Sequence, residues 1–302
     1  MMLRAKKALN AALFAFALAP SLALAQAART PTESVTVTGA RNRQVLDNFV
    51  QSFAAPTQII GKIARWENGI CPITVGLRPE AAKFVTQRVR DIAAQVGAPV
   101  SRGKSCQFNI EIVFTTTPQG YMDNIRKNHP AFLGYHDNGR AEQTAKVSHV
   151  VQAWYTTATI DVNGWPQLDI GGNGAGLWLG NVFLPNARAY AVKGTRLGDG
   201  LRSSLYHVII VADPNRLVEY EIGALADYIA LLALSQLNSL DACQQLPSIV
   251  NLLASGCDRK ANALSENDIA YLRGLYKMSP DTNLRSEKDQ IAYQMEQKLK
   301  GR

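Results

Sequence analysis

The sequence predicts an α+β fold, with a small mixed or antiparallel sheet packed on a buried core helix and a helical C-terminal part. Three observations predict it. Phe108, Ile110, Ile112 and Phe114 alternate with Asn109, Glu111 and Val113, the period of a strand with one buried face. From about Arg216 to Leu237 apolar residues occupy nearly every side of a helical projection, the pattern of a helix surrounded by protein. After residue 240, Ser265 with Asp268 and Ser286 with Asp289 form Ser-x-x-Asp patterns that read as capping boxes ahead of two helices.

The chain opens with Arg4, Lys6 and Lys7, an apolar run from Ala11 to Ala19, Pro20, and the small-residue triplet Ala23-Leu24-Ala25. Together these read as a cleavable secretory signal over residues 1–25, which places the protein in the periplasm or beyond. The run is shorter than the ~20 residues of a spanning helix, and no Cys follows it to accept a lipid. The mature chain is therefore expected to carry no transmembrane segment. Without the three basic groups of the signal, the formal net charge falls from +8 to +5. No basic stripe interleaved with aromatics remains to track a phosphate backbone, which excludes nucleic acid as the expected partner.

Residues 26–58 are polar and read as a flexible N-terminal segment, within which Val35 to Gly39 has strand character. An α+β domain is expected over 59–240. Pro79 and Glu80 open a helix whose apolar positions Phe84, Val85, Val89, Ile92 and Val96 run to Gly97. The strand around 108–114 follows, then a β-rich run over 148–160 and a turn at Asn163-Gly164. Residues 171–204 are glycine-rich and too long for an idle connection, so they are expected to line a site, with Trp178 as an aromatic anchor. A strand over Tyr206 to Ala212 leads through Asp213-Pro214-Asn215 into the core helix, 216–237. A helical subdomain is expected over 241–302, with helices near 244–254, 266–277 and 287–299.

Four cysteines, Cys71, Cys106, Cys243 and Cys257, follow the signal. In an oxidising compartment an even number reads as disulfides, and the nearest neighbours, Cys71 with Cys106 and Cys243 with Cys257, close the shortest loops. No two cysteines stand at the two-to-four-residue spacing of a zinc site.

The order helix, strand, β-rich section, strand, buried helix, helical tail resembles the zincin metallopeptidase fold, including periplasmic bacterial zincin-like domains. The resemblance covers roughly residues 60 to 280 and rests mainly on Tyr206–Leu234 and on Leu264–Pro280. In active members the core helix carries His-Glu-x-x-His, whose imidazoles hold zinc while the Glu activates the metal-bound water. The best register here is Tyr220-Glu221-Ile222-Gly223-Ala224, so neither ligand position is a histidine. The resemblance thus implies no metal, no cofactor and a binding or accessory role toward a cell-envelope protein or peptide. Tyr220, Glu221 and Asp227 would form the helical wall of a groove facing the 171–204 loop. Residues 33–41 also resemble the short box through which TonB-dependent receptors pair with TonB by strand addition.

Other constellations compete. His136, Asp137 and His149, with His129 and Asp123 nearby, supply imidazole and carboxylate and are the candidates for an active hydrolase, although their spacing matches no familiar metal pattern. Asp161 and Asp169 flank the Asn163-Gly164 turn, where turn chemistry is the expected role. Ser101 and Lys104 have the Ser-x-x-Lys spacing, but Pro99 and Gly103 predict a loop where that chemistry needs a helix start. Gly172 to Gly176 lacks the context of a phosphate loop. His207 lies in an apolar strand and reads as a core histidine.

Overall fold

Five strands form one mixed sheet in the order β1-β2-β7-β3-β4, seen in a computed structural model of the chain. The structure describes residues 43–103, 106–137, 139–170, 177–179, 182–184, 190–195 and 198–301, with backbone only at 177–179 and 182–184. Residues 1–25, expected as a signal, and residues 33–41 lie outside the described residues. Strands β1 (Pro72–Val75), β2 (Ile110–Phe114) and β7 (Arg202–Ala212) run parallel. β3 (Val151–Ile160) pairs antiparallel with β7, and β4 (Pro166–Asp169) closes the other edge. A separate antiparallel pair is formed by β5 (Leu177–Leu179) and β6 (Val182–Leu184). The α+β class follows.

Helices cover both faces of the sheet. Ile110, Ile112, Phe114, Val208 and Ile210 meet α2 (Pro79–Val96) and α5 (Ile222–Leu234) in the main core, while Ile209 and Val211 point the other way, toward α3 (Pro118–Asn128) and a 3-10 turn at Pro130–Leu133. This two-sided cover is why Val113, expected on the polar face of its strand, is buried as well. Phe108 precedes β2 and is exposed, so the strand is shorter than its alternation predicts. The β3–β4 connection is the expected tight turn, with Asp161 Oδ1 accepting the Asn163 and Trp165 N–H groups at 2.9 and 3.1 Å. Gly76 follows β1 at φ +86°, where a Cβ would overlap the Phe114 carbonyl oxygen, so only glycine allows this close approach to β2.

α2 has its expected bounds, ending at Gly97 in the left-handed conformation. From Ala224 to Leu234 α5 is buried on every side, as its composition predicts, and its last carbonyls find donors. Trp66 Nε1 donates to Ala233 O at 2.8 Å, Tyr155 Oη to Leu232 O at 2.9 Å and Tyr276 Oη to Leu234 O at 2.8 Å. The helix is shorter than predicted. Asp213 caps a 3-10 turn at Pro214–Arg216, and residues 217–221 are irregular before α5 begins at Ile222. Val218, expected on its apolar stripe, is 82% exposed.

Four further expectations are corrected. Residues 43–53 form α1 (Arg43–Phe53), which buries Leu46, Phe49, Val50 and Phe53 and stacks Phe53 edge-on against Tyr271 at 4.8 Å, so the ordered core begins well before residue 59. The helix expected near 244–254 is only a 3-10 turn, Ile249–Leu252, inside the loop closed by Cys243–Cys257. The last helix, α7 (Leu284–Leu299), is capped by Asn283 and not by Ser286, because the Asn283 side chain already accepts the Ser286 N–H. By contrast α6 (Glu266–Lys277) carries the full capping box of Ser265 and Asp268. The segment after β2, expected as loop, holds α3 and the short α4 (Ala141–Thr144). Both disulfides, Cys71–Cys106 and Cys243–Cys257, have the predicted pairing.

Candidate functional site

The α2 and α5 helices leave a groove between them. Phe84 and Arg88 lie one turn apart on α2, and Glu221 stands at the start of α5 with Asp227 one to two turns farther on. A cavity of about 380 Å³ is lined by Phe84, Arg88, Asp91, Glu221, Asp227 and Asn262, among others. Two of the three helical-wall residues expected from sequence thus meet in one cavity. The third, Tyr220, packs half-buried against the main core. Trp178 falls in β5, and its side chain lies outside the described residues.

Asp227 is 2% exposed yet fully paired. It accepts Arg88 Nε at 2.5 Å and Nη2 at 3.2 Å, and the Leu264 N–H at 2.8 Å. The carboxylate bond holds the Arg88 guanidinium above its ordinary pKa. Glu221 is the opposite case: it occupies the N-cap position of α5 without capping it, is exposed, and its carboxylate has no hydrogen bond or ion pair among the described residues. Phe84 is 45% exposed at the mouth. The groove therefore offers an apolar wall, a neutralised pair at its base and a free carboxylate at its rim.

The expected ligand register does not form on a helix. α5 begins at Ile222, so Tyr220 and Glu221 precede it and positions 220 and 224 cannot stand one helical turn apart on one face. Val218 and Glu219 before them are exposed, and the Leu217 carbonyl accepts the Tyr220 N–H in a turn, so the chain enters α5 from a turn and not from a continuous helix.

The loop candidates are placed apart. His136 donates from Nδ1 to the Gly134 carbonyl at 3.0 Å, Asp137 faces Arg140 at 3.6 Å, and His149 donates from Nε2 to Asp241 at 3.0 Å. No hydrogen bond or ion pair joins them to one another among the described residues. Likewise, among the described residues no group of three or more His, Cys, Asp or Glu side chains is placed to hold a metal ion. Asp161 serves its turn, and Asp169 is buried against the Thr157 and Thr159 hydroxyls, which donate to it at 2.7 and 2.8 Å. Burial raises the Asp169 pKa despite those bonds. Ser101 Oγ donates to Gly69 O, while Lys104 lies outside the described residues.

One imidazole–carboxylate pair escaped the sequence reading. His207 on β7 is 5% exposed and donates from Nε2 to Glu111 Oε1 on β2 at 3.1 Å. Its Nδ1 is buried without a hydrogen-bond partner, and Phe132 stacks on the ring with centroids 4.3 Å apart. The His207 hydrogen bond, then the charges of His207 and His129, hold Glu111 below the usual carboxylate range against the effect of burial. Burial and the Glu111 charge push Tyr121 up to about 12. Glu111 orients the imidazole, and Phe132 closes it from solvent, so the pair locks the Pro130–Leu133 turn onto the sheet. The available signal was a carboxylate within the apolar strand 110–114 and a histidine within the apolar strand 205–212.

No protein-family model, curated protein or solved structure matches this chain.

Proposed function

We propose that the chain is an exported binding or accessory protein of the cell envelope, built on a zincin-like scaffold that lacks zinc chemistry. The observation that carries the binding reading is the α2–α5 groove, in which the unpaired Glu221 and the exposed Phe84 flank the buried Arg88–Asp227 pair. Aromatic surface beside an unpaired charge, over a base already satisfied internally, suits recognition of another molecule more than bond breaking. Two disulfides suit an oxidising compartment, and among the described residues no helix is long and apolar enough to cross a membrane. The passage from β7 into α5, which is buried from Ala224 to Leu234, followed by the capped α6, supports the scaffold reading. The hydrolase alternative through His136, Asp137 and His149 draws no support from their separate partners.

Two measurements test this. Metal analysis of the purified protein should find no stoichiometric zinc, and Glu221→Gln should leave any background hydrolysis unchanged. Stoichiometric zinc, together with hydrolysis lost in Glu221→Gln, would overturn the proposal. A photo-crosslinking residue at position 84 should capture an envelope component in cells, while the same residue at the exposed Tyr293 on α7 should not.

A further inference from the structure

We infer that the α2–α5 groove takes a basic peptide segment carrying an apolar anchor, an inference that rests on the binding role proposed above. The apolar surface is there: Ala224 and the exposed Phe84 line the cavity, and the exposed Ile222 lies in sequence between the lining residues Glu221 and Gly223. The rim is acidic. Asp91 and Glu221 line the cavity, and the exposed Glu80 and Glu219 stand on the first turn of α2 and on the approach to α5. Of the cations on α2, Arg88 is committed to Asp227 and Arg90 donates to the Ser101 carbonyl, which leaves Lys83.

The N-terminus of α5 adds roughly half a positive charge, less than the two full carboxylate charges of Asp91 and Glu221. This acidity is local, because without residues 1–25 the chain has a formal net charge of +5. A basic ligand is therefore drawn to this groove against the positive net charge of the chain. An anionic lipid surface would meet carboxylates where it needs cations, so the charge favours a peptide over a membrane. The apolar anchor supplies burial against Phe84, and the basic side chains supply register against Glu221 and Asp91.

Fluorescence anisotropy with the purified chain and labelled pentapeptides tests the inference. One probe alternates arginine with leucine, a second alternates glutamate with leucine, and a third alternates arginine with glycine. Saturable binding of the first is expected, weakened about tenfold by Phe84→Ala and by Glu221→Lys and by loss of leucine in the third probe. Glu142→Lys on α4, an equal charge change across the sheet, should leave it within about twofold. Equal loss in Glu221→Lys and Glu142→Lys would mean bulk charge and would overturn the inference. Preference for the glutamate probe, still sensitive to Phe84→Ala, would overturn the basic class while leaving the groove as a binding site. Self-association abolished by Phe84→Ala, with no peptide bound, would make a second copy the occupant and overturn it as well. If no probe binds but crosslinking through position 84 persists in cells, the ligand class falls and the binding role stands.

Discussion

Glu287 lies on α7 with no exposure to solvent; its Oε2 accepts the Ile63 N–H at 2.9 Å, and its Oε1 has no hydrogen-bond partner. Burial pushes its pKa up to about 7, against the Ile63 hydrogen bond and the charges of Lys62 and Arg65. The folded state thus holds this proton more tightly than the unfolded chain, whose carboxyl titrates near 4.5. Its stabilisation is complete below that value and disappears as pH rises through about 7. Thermal melts should therefore show wild type losing on the order of 3 kcal/mol more than Glu287→Gln between about pH 4 and pH 8. At Asp227 the reasoning concerns a partner. Arg88→Ala would strand a buried carboxylate with only the Leu264 N–H, at a cost of about 2 kcal/mol, kept low because Arg88 is itself 39% exposed. Adding Asp227→Asn to Arg88→Ala should recover part of that loss in denaturant unfolding.

At the scale of elements, two helix starts of similar sequence behave differently. Ser265 makes a reciprocal capping box with Asp268, whereas Ser286 sits inside α7 behind Asn283. Ser265→Ala and Asn283→Ala should each cost about 1 kcal/mol, while Ser286→Ala should stay within about 0.5 kcal/mol. Urea midpoints would separate them, and a Ser286→Ala loss equal to the Asn283→Ala loss would contradict the cap assignment. The same pattern, Ser-x-x-Asp, was legible at both places. Only at α6 do the flanking residues leave Ser265 as the first helical boundary, and at α7 Asn283 offers a side-chain acceptor three residues earlier. α3 was missed for a related reason. Its apolar positions Met122 and Ile125 are few, and polar residues fill the rest of the helix, so periodicity is weak although Pro118 marks the first turn.

Across the whole molecule, the main core runs from Leu46 on α1 through the sheet and α5 to Met295 on α7, so the C-terminal helices share one core with the strands. The Cys243–Cys257 bridge staples the segment where regular helix fails, over a separation of 14 residues. Replacing both cysteines by serine should lower stability by about 3 kcal/mol and lower the melting temperature, leaving the α2–α5 groove intact. A variant that melts like wild type would remove the bridge from the stabilising set.

Sequence by itself determined what depends on neighbours along the chain: a strand within 108–114, the bounds of α2 and α6, the apolar character of α5, the Asn163-Gly164 turn and the pairing of four cysteines. These follow from periodicity, caps and loop closure, which are local or nearly so. Tertiary structure decided the rest. It drew α1 into the core, delayed α5 to Ile222, brought Arg88 from α2 onto Asp227, and set Glu111 against His207 across 96 residues. Each of these depends on which faces meet after the chain has folded, and a one-dimensional pattern carries no record of that.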